Sequence, residues 1–186
     1  MNNLLHWSIQ YFKDKYQEDT SFTEEEKDTI AKTLWVGSII YNDIKKDKKL
    51  PILISWDVQK AVRTFEESGG AYIIYSSCRA KNILKKIDNQ LPDIQEFKDI
   101  QLEGIEVDIV KKIIQFPEII KQACREHNPS VIAEFLYSLS LAYNAYYTNY
   151  PVLKWDNLYR LIITKSVAQV LDNWLKILHI KTLNRI

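Results

Sequence analysis

Apolar residues recur every three or four positions through most of this chain, which is the spacing of amphipathic helices. The spacing is most regular from Val131 to Tyr147 and predicts a long helix that ends at the Tyr150–Pro151 step. A last helix is predicted from about residue 156 to residue 178. Pro117 and Pro129 are each predicted to open a helix, because the N–H that proline lacks is not needed in the first turn.

The N-terminal half carries shorter helical signals. Thr23 followed by Glu26 has the spacing of a capping box, and Asp57 is a good first residue for a short helix. Gly69 and Gly70 interrupt the pattern. Helices are predicted over residues 4–16, from residue 23 through Gly37, after Asp57, and over residues 71–87. An acidic stretch over residues 88–103, with Pro92, predicts a boundary between a helical segment 1–88 and a helical domain 89–186.

Composition agrees with an all-α protein. The 186 residues are 46% hydrophobic and include only four glycines and five prolines, so breakers are scarce. The net charge of +1 is unevenly distributed. Eight acidic and three basic residues between Asp88 and Glu118 give −5, whereas six basic and two acidic residues between Tyr150 and Ile186 give +4. The C-terminal segment is therefore the part suited to a phosphate backbone, although a solvated helix face has the same composition.

The sequence gives little support for a metal site, a phosphate-binding loop or a membrane segment. His6, His127 and His179 are scattered without metal-ligand spacing, so no metal, cofactor or catalytic residue is predicted. The Gly69–Gly70 pair lacks the Lys and Ser/Thr of a phosphate-binding loop. No apolar run approaches the roughly 20 residues that span a bilayer, and the N-terminus has no signal-peptide pattern. We expect a cytoplasmic protein that does not contact membranes.

A cluster of aromatic residues is the strongest candidate site. Six lie within 17 residues, next to an amide and two cations. They are Tyr143, Tyr146, Tyr147, Tyr150, Trp155 and Tyr159, beside Asn144, Lys154 and Arg160. Unpaired RNA bases are recognised by stacking on aromatic or guanidinium planes and by hydrogen bonds to their edges. Aromatic residues at helical spacing also commonly form a core, so both interpretations stay open from the residues alone.

The order of short motifs resembles one family over nearly the whole chain. Phe-Pro-Glu begins at Phe116, Tyr-Asn-Ala-Tyr-Tyr begins at Tyr143, Val-Leu begins at Val152, and Arg-Leu begins at Arg160. Upstream, Val-Gly begins at Val36, Trp-Asp begins at Trp56, and Ala-Tyr-Ile-Ile-Tyr begins at Ala71, followed by Arg79 and Ile-Leu-Lys-Lys from Ile83. This order of motifs resembles the one in the C-terminal region of class I arginyl-tRNA synthetases, which contains their DALR anticodon-binding domain. The resemblance implies an all-α bundle that docks on the anticodon arm of a tRNA, with arginine tRNA as the expected partner.

Resemblance and chemistry together predict a set of RNA-binding residues. Aromatic members would stack on bases, Asn144 would hydrogen bond to a base edge, cations would contact phosphates, and the last residue would lie near the anticodon loop. The set is Arg79, Lys86, Tyr143, Asn144, Tyr147, Tyr150, Lys154, Trp155, Arg160, Lys165 and Ile186.

Departures from the family pattern keep several functions open. The His-Ile-Gly-His and Lys-Met-Ser-Lys-Ser elements of the family's catalytic half are absent, so we expect no enzymatic activity from this chain. Trp174 and His179 stand where the family usually has glycine, which predicts that the tail leaves the last helix differently. The leading hypothesis is a non-catalytic paralogue that binds tRNA. The alternatives are a protein-interaction or regulatory module that has dropped RNA, with a protein partner, and a fragment of a full arginyl-tRNA synthetase.

Overall fold

Seven helices and no strand make up the part of the chain that the computed structural model describes, which is residues 2–14, 21–47, 49–51, 55, 57–87, 100–153 and 158–186. The helices are α1 (Asn2–Asp14), α2 (Glu24–Ile44), α3 (Val58–Glu66), α4 (Gly70–Lys85), α5 (Gly104–Glu126), α6 (Ser130–Asn149) and α7 (Tyr159–Ile177). The all-α class predicted from the sequence is confirmed. Most of the acidic stretch predicted as a boundary, residues 88–99, lies outside the described residues.

Local capping explains where two of the helices, α2 and α3, begin. Thr23 and Glu26 form the predicted capping box: the Glu26 N–H donates to Thr23 Oγ1 at 3.2 Å, and the Thr23 N–H donates to Glu26 Oε2 at 2.8 Å. Asp57 caps α3 by accepting hydrogen bonds from the backbone N–H groups of Gln59 and Lys60. Each of these bonds satisfies an N–H group that has no partner within its own helix.

The prediction that Pro117 opens a helix is wrong. Pro117 lies inside α5, which continues from Gly104 to Glu126. A proline within a helix removes one backbone hydrogen bond, so other interactions must stabilise the segment. Phe116 supplies such packing, because its ring stacks on Phe135 at 5.7 Å and meets Trp174 edge-on at 6.0 Å. Tertiary contacts to α6 and α7 therefore outweigh the local preference.

The C-terminal tail, residues 178–186, leaves α7 through a residue in the left-handed conformation, although no glycine is present there. His179 has φ 55°, the Ile180 N–H donates to the Leu175 carbonyl at 2.8 Å, and the His179 N–H donates to the Lys176 carbonyl at 3.0 Å. These two bonds form the Schellman motif that glycine usually permits. The expectation that the tail would leave the helix differently is therefore wrong: the geometry is kept, at the cost of a left-handed histidine.

Helix α4 lies at the centre of the bundle and packs against α2, α6 and α7. Its approach to α2 is so close that a Cβ at Gly70 would lie 2.7 Å from the Ser38 Cα, and one at Gly37 would lie 2.3 Å from Ile74 Cδ1. On the other side, Lys81 forms an ion pair with Asp172 of α7. Helix α4 thus joins the N-terminal helices to α5–α7, and the predicted division at residues 88/89 stays a prediction.

None of the helices in the described part of the chain is long and apolar enough to cross a membrane.

Candidate functional site

An open groove of about 590 Å³ lies where α4, the C-terminal half of α6 and the end of the tail meet. Four residues of the predicted RNA-binding set line it: Arg79, Lys86, Tyr147 and Ile186. The other lining residues are Tyr75, Asn82, Ile83, Lys85, Asn184 and Arg185. Residues more than 100 positions apart in the sequence therefore form one surface.

The guanidinium of Arg79 lies between two tyrosine rings at this groove. Its Cζ is 4.5 Å from the ring centroid of Tyr75 and 4.5 Å from that of Tyr147. Such cation–π contacts are favourable, and they hold the planar cation and both rings in place. Tyr75 and Tyr147 nevertheless keep 36% and 39% of their surface exposed. The arrangement can offer aromatic surface and positive charge to the same ligand.

Hydrogen bonds fix Arg79 further. Its Nη1 donates to Asn144 Oδ1 at 2.6 Å, and its Nη2 donates to the Tyr75 hydroxyl at 2.5 Å. The Asn144 Nδ2 in turn donates to Ser76 Oγ at 2.6 Å and to the Ser140 carbonyl at 3.0 Å. Two of the five guanidinium N–H groups are thus used by these bonds, and a bound anion can use others.

Positive charge is concentrated at the groove. Arg79, Lys85, Lys86 and Arg185 line it, and none of its described lining residues is acidic. Lys85 Nζ donates to the Asn184 carbonyl at 3.2 Å, which ties the tail to α4. Arg185 Nη1 donates to the Ser21 carbonyl at 3.0 Å, while its Cζ lies 4.3 Å from the Phe22 ring centroid. An anionic ligand suits this surface better than a cationic one.

Tyr143 and Asn144 occupy the interior instead of the surface. Tyr143 is fully buried and Asn144 is 7% exposed. Burial raises the pKa of the Tyr143 phenol well above its ordinary value, and the same holds for Tyr146. The expectation that Tyr143 stacks on a base and that Asn144 reads a base edge needs revision, because Tyr143 has no exposed ring face and the Asn144 side chain is engaged within the protein.

Arg160 is also buried, and it forms an ion pair instead of facing a phosphate. Its Nε donates to Glu106 Oε1 at 2.7 Å, and Glu106 has no exposed surface. The Arg160 Cζ lies 4.9 Å from the Tyr150 ring centroid, and Tyr150 stacks on Tyr146 at 5.6 Å. Arg160 and half-buried Tyr150 therefore anchor the start of α7 to α5 and α6. The burial of Arg160 revises the expectation that it contacts a phosphate, whereas the expectation for Tyr150 stays a prediction.

Of the remaining predicted residues, Lys165 lies outside the groove and Ile186 lies at its edge. Lys165 is exposed on α7 and is not among the residues that line the groove. Lys154 and Trp155 lie outside the described residues. Ile186 is half-buried and packs against the core at the edge of the groove.

Sequence reasoning did not select Tyr75, Lys85, Asn184 and Arg185 as site residues. One signal was available for Tyr75, because it precedes Arg79 by four positions and residues at that spacing are neighbours on a helix. Nothing in the sequence pattern placed the tail beside α4. Among the described residues, no group of three or more His, Cys, Asp or Glu side chains is arranged to hold a metal ion.

Comparison with known proteins adds family relationships to this geometry. Residues 73–186 match the family described as the DALR anticodon binding domain. The arginine–tRNA ligase of Pediococcus pentosaceus is 35% identical over 157 residues, which are 83% of this chain and 27% of that protein. The arginine–tRNA ligase of Pyrococcus abyssi is 30% identical, and the match covers 100% of this chain and 30% of the ligase. The chain therefore spans less than a third of the length of these relatives.

Solved structures show the same fold. The arginyl-tRNA synthetase of Thermus thermophilus matches 100% of this chain and 32% of its own, with a TM-score of 0.80 at 23% sequence identity. The arginyl-tRNA synthetase of Plasmodium falciparum gives a TM-score of 0.78 at 22% identity and is covered over 33% of its length. On the family match over residues 73–186, together with these relatives, the chain belongs to the DALR anticodon-binding domain family and resembles the C-terminal portion of arginyl-tRNA synthetases.

Proposed function

We propose that this chain binds tRNA, with arginine tRNA as its preferred partner, by docking the groove against the anticodon arm. The observation that carries the proposal is a groove with four cations and two exposed tyrosines in a member of an anticodon-binding family. The chain would make and break no bond itself. It would supply affinity for the tRNA and hold the tRNA in a defined orientation.

Two kinds of contact would contribute to affinity. Phosphate contacts from the four groove cations, Arg79, Lys85, Lys86 and Arg185, would release counterions, which makes binding strongly dependent on salt. Bases that are unpaired in a loop would stack on the exposed surface of Tyr147 or Tyr75, and each stack contributes about 1–3 kcal/mol. Both contacts suit a single-stranded loop next to a phosphate backbone.

A titration with arginine tRNA and one unrelated tRNA, each at two salt concentrations, tests the proposal. We expect tight binding that weakens with salt and favours arginine tRNA. Absence of binding, or equal weak binding to both tRNAs, would contradict it.

A matched pair of variants tests the location of the site. Lys86→Ala removes a cation that lines the groove, and Lys111→Ala removes an exposed cation of α5 that does not line it. We expect Lys86→Ala to weaken binding to all tRNA sequences and to reduce the slope of log affinity against log salt by about 1. Lys111→Ala should leave both quantities unchanged. Equal effects of the two variants would place the binding surface elsewhere.

The alternative functions predict different outcomes. A protein-interaction module is favoured by the net charge of +1 and by the burial of Tyr143, Asn144 and Arg160. In that case the titration shows no tRNA binding, and the affinity for a protein partner at an apolar interface changes little with salt. If the chain acts as part of a larger synthetase, its tRNA binding remains, and arginine-dependent ATP–pyrophosphate exchange by the chain alone should be absent.

A further inference from the structure

We propose that Asn144 is a positioning residue: it holds Arg79 in the geometry that contacts a tRNA phosphate and does not itself touch RNA. This inference rests on the proposed function, because the phosphate belongs to the tRNA that the groove would bind. It assigns Asn144 a role different from the base reading expected from the sequence.

The chemistry of the partners determines the orientation of the Asn144 amide. An arginine guanidinium can only donate hydrogen bonds, and a backbone carbonyl can only accept them. Asn144 lies between Arg79 Nη1 at 2.6 Å and the Ser140 carbonyl at 3.0 Å. Only the orientation with Oδ1 toward Arg79 and Nδ2 toward Ser140 satisfies both. The amide is therefore locked by its surroundings.

The hydrogen bonds that fix Asn144 continue into α4. Asn144 Nδ2 also donates to Ser76 Oγ at 2.6 Å, and the Ser76 hydroxyl donates to the Tyr72 carbonyl at 2.7 Å. Ser76 and Asn144 are 0% and 7% exposed, so water competes little for these bonds. A buried chain of bonds thus runs from the backbone of α4 through Asn144 to a cation at the groove.

Holding Arg79 in place matters because a free arginine side chain has many rotamers that binding would have to restrict. Asn144 and the two tyrosine rings restrict them before any ligand arrives, which is the general way in which preorganisation raises affinity. Asn144 is suited to this task because its amide carries an acceptor for Arg79 and donors for Ser76 and Ser140. An aspartate would have no donor, and its negative charge would offset the charge of Arg79.

The first test compares Asn144→Ala with Ser76→Ala. Both break the hydrogen bond between Asn144 and Ser76, but Ser76→Ala leaves the Arg79–Asn144 bond in place. We expect Asn144→Ala to weaken arginine tRNA binding about tenfold at low salt, since it disturbs a hydrogen-bonded charged group. The salt slope should fall by about 0.7–0.9, which corresponds to one phosphate contact. Ser76→Ala should keep the wild-type slope.

Arg79→Ala provides the second comparison. If Asn144 acts through Arg79, the double variant Arg79→Ala/Asn144→Ala binds no more weakly than Arg79→Ala alone. Additive losses, or an unchanged salt slope in Asn144→Ala, would overturn the inference and leave Asn144 as a bond between helices only.

A third measurement does not depend on RNA. Nuclear magnetic resonance of the guanidinium N–H signals of Arg79 should show a protected, ordered group in the wild type and in Ser76→Ala, and an exchanging group in Asn144→Ala. Identical Arg79 signals in Asn144→Ala would overturn the positioning role. If the wild type binds neither tRNA, the proposed function fails and so does the phosphate contact, whereas binding with no effect of Asn144→Ala refutes the inference alone.

Discussion

At the scale of single residues, buried polar side chains join helices to one another through hydrogen bonds. Glu106 is fully buried and accepts hydrogen bonds from three donors: Arg160 Nε at 2.7 Å, the Tyr159 hydroxyl at 3.0 Å and the Glu103 N–H at 3.0 Å. Its position in the first turn of α5 also suits a negative charge. One carboxylate thereby stabilises the beginnings of both α5 and α7.

Glu106→Gln is predicted to destabilise the protein strongly. Removing one partner of a buried ion pair leaves the other charge without compensation, which costs about 3–5 kcal/mol. Urea denaturation would measure the free energy of unfolding. Glu118→Gln is the control, because Glu118 pairs with Lys121 and Arg125 at the surface and its loss should change stability little. Similar effects of the two variants would show that the buried pair is not a major stabilising interaction.

Buried tyrosines give the protein a sensitivity to alkaline pH. Burial, with smaller effects of Tyr137 and Glu134, raises the pKa of Tyr41 to about 12, and its hydroxyl donates to the Ala133 carbonyl at 3.1 Å. Because the folded pKa exceeds the unfolded value of about 10, the neutral phenol stabilises the fold fully below pH 10. That contribution decreases as the pH rises from about 10 toward 12.

We therefore expect the free energy of unfolding to fall above about pH 10, in parallel with tyrosinate absorbance. Tyr143 and Tyr146 should contribute in the same direction, since burial raises the pKa of each. Tyr41→Phe should make the decline shallower and should cost about 1 kcal/mol at neutral pH for the lost hydrogen bond. If the free energy of unfolding of Tyr41→Phe declines with pH as steeply as that of the wild type, Tyr41 is excluded as a source of the pH dependence.

At the scale of helices, the close approach of α2 and α4 depends on small residues. Gly70, the first residue of α4, faces backbone atoms of α2, with the Gly37 carbonyl 2.8 Å from the position of a Cβ. Backbone cannot move aside as a flexible side chain can. The two helices would have to separate to admit a methyl group.

Gly70→Ala is predicted to destabilise the protein by about 1–3 kcal/mol, the usual range for overpacking a core. Gly104→Ala is a matched control, because Gly104 is the first residue of α5 and has no atom within 4 Å of its Cβ position. That substitution should be neutral or stabilising by up to about 1 kcal/mol. Thermal unfolding of both variants compares them, and an unaffected Gly70→Ala protein would contradict the close approach.

At the scale of the whole molecule, α4 belongs to both halves of the chain. It packs against α2 on one side and against α6 and α7 on the other, and it supplies one wall of the groove. The family match begins at residue 73, inside this helix. The helix is therefore an integral part of the folded bundle.

A truncated protein of residues 89–186 is expected to lose cooperative unfolding, because it lacks α4 and exposes the apolar surfaces of α6 and α7. A protein of residues 70–186 retains α4 and should unfold cooperatively at a lower temperature than the full chain. Circular dichroism melts measure both. Cooperative unfolding of 89–186 with native helicity would instead support an independent domain that begins near residue 89.

The sequence pattern predicted the all-α class, helices close to α1–α4, α6 and α7, and the family. Apolar periodicity and caps such as Thr23 and Asp57 act over a few residues, so they can be read without knowing what lies nearby. The Pro117 prediction failed because packing of α5 on α6 and α7 outweighed a local preference.

Which side chains face solvent and which segments meet is visible only in the folded arrangement of the helices. Periodicity distinguishes the faces of a helix but not the partner that covers each face, so the exposed Tyr147 and the buried Tyr143 could not be separated in advance. In the same way, Arg160 could be recognised as a cation but not as the partner of Glu106, 54 positions away. The groove forms because packing places α4 beside the tail, where Lys85 contacts Asn184, 99 positions later in the chain.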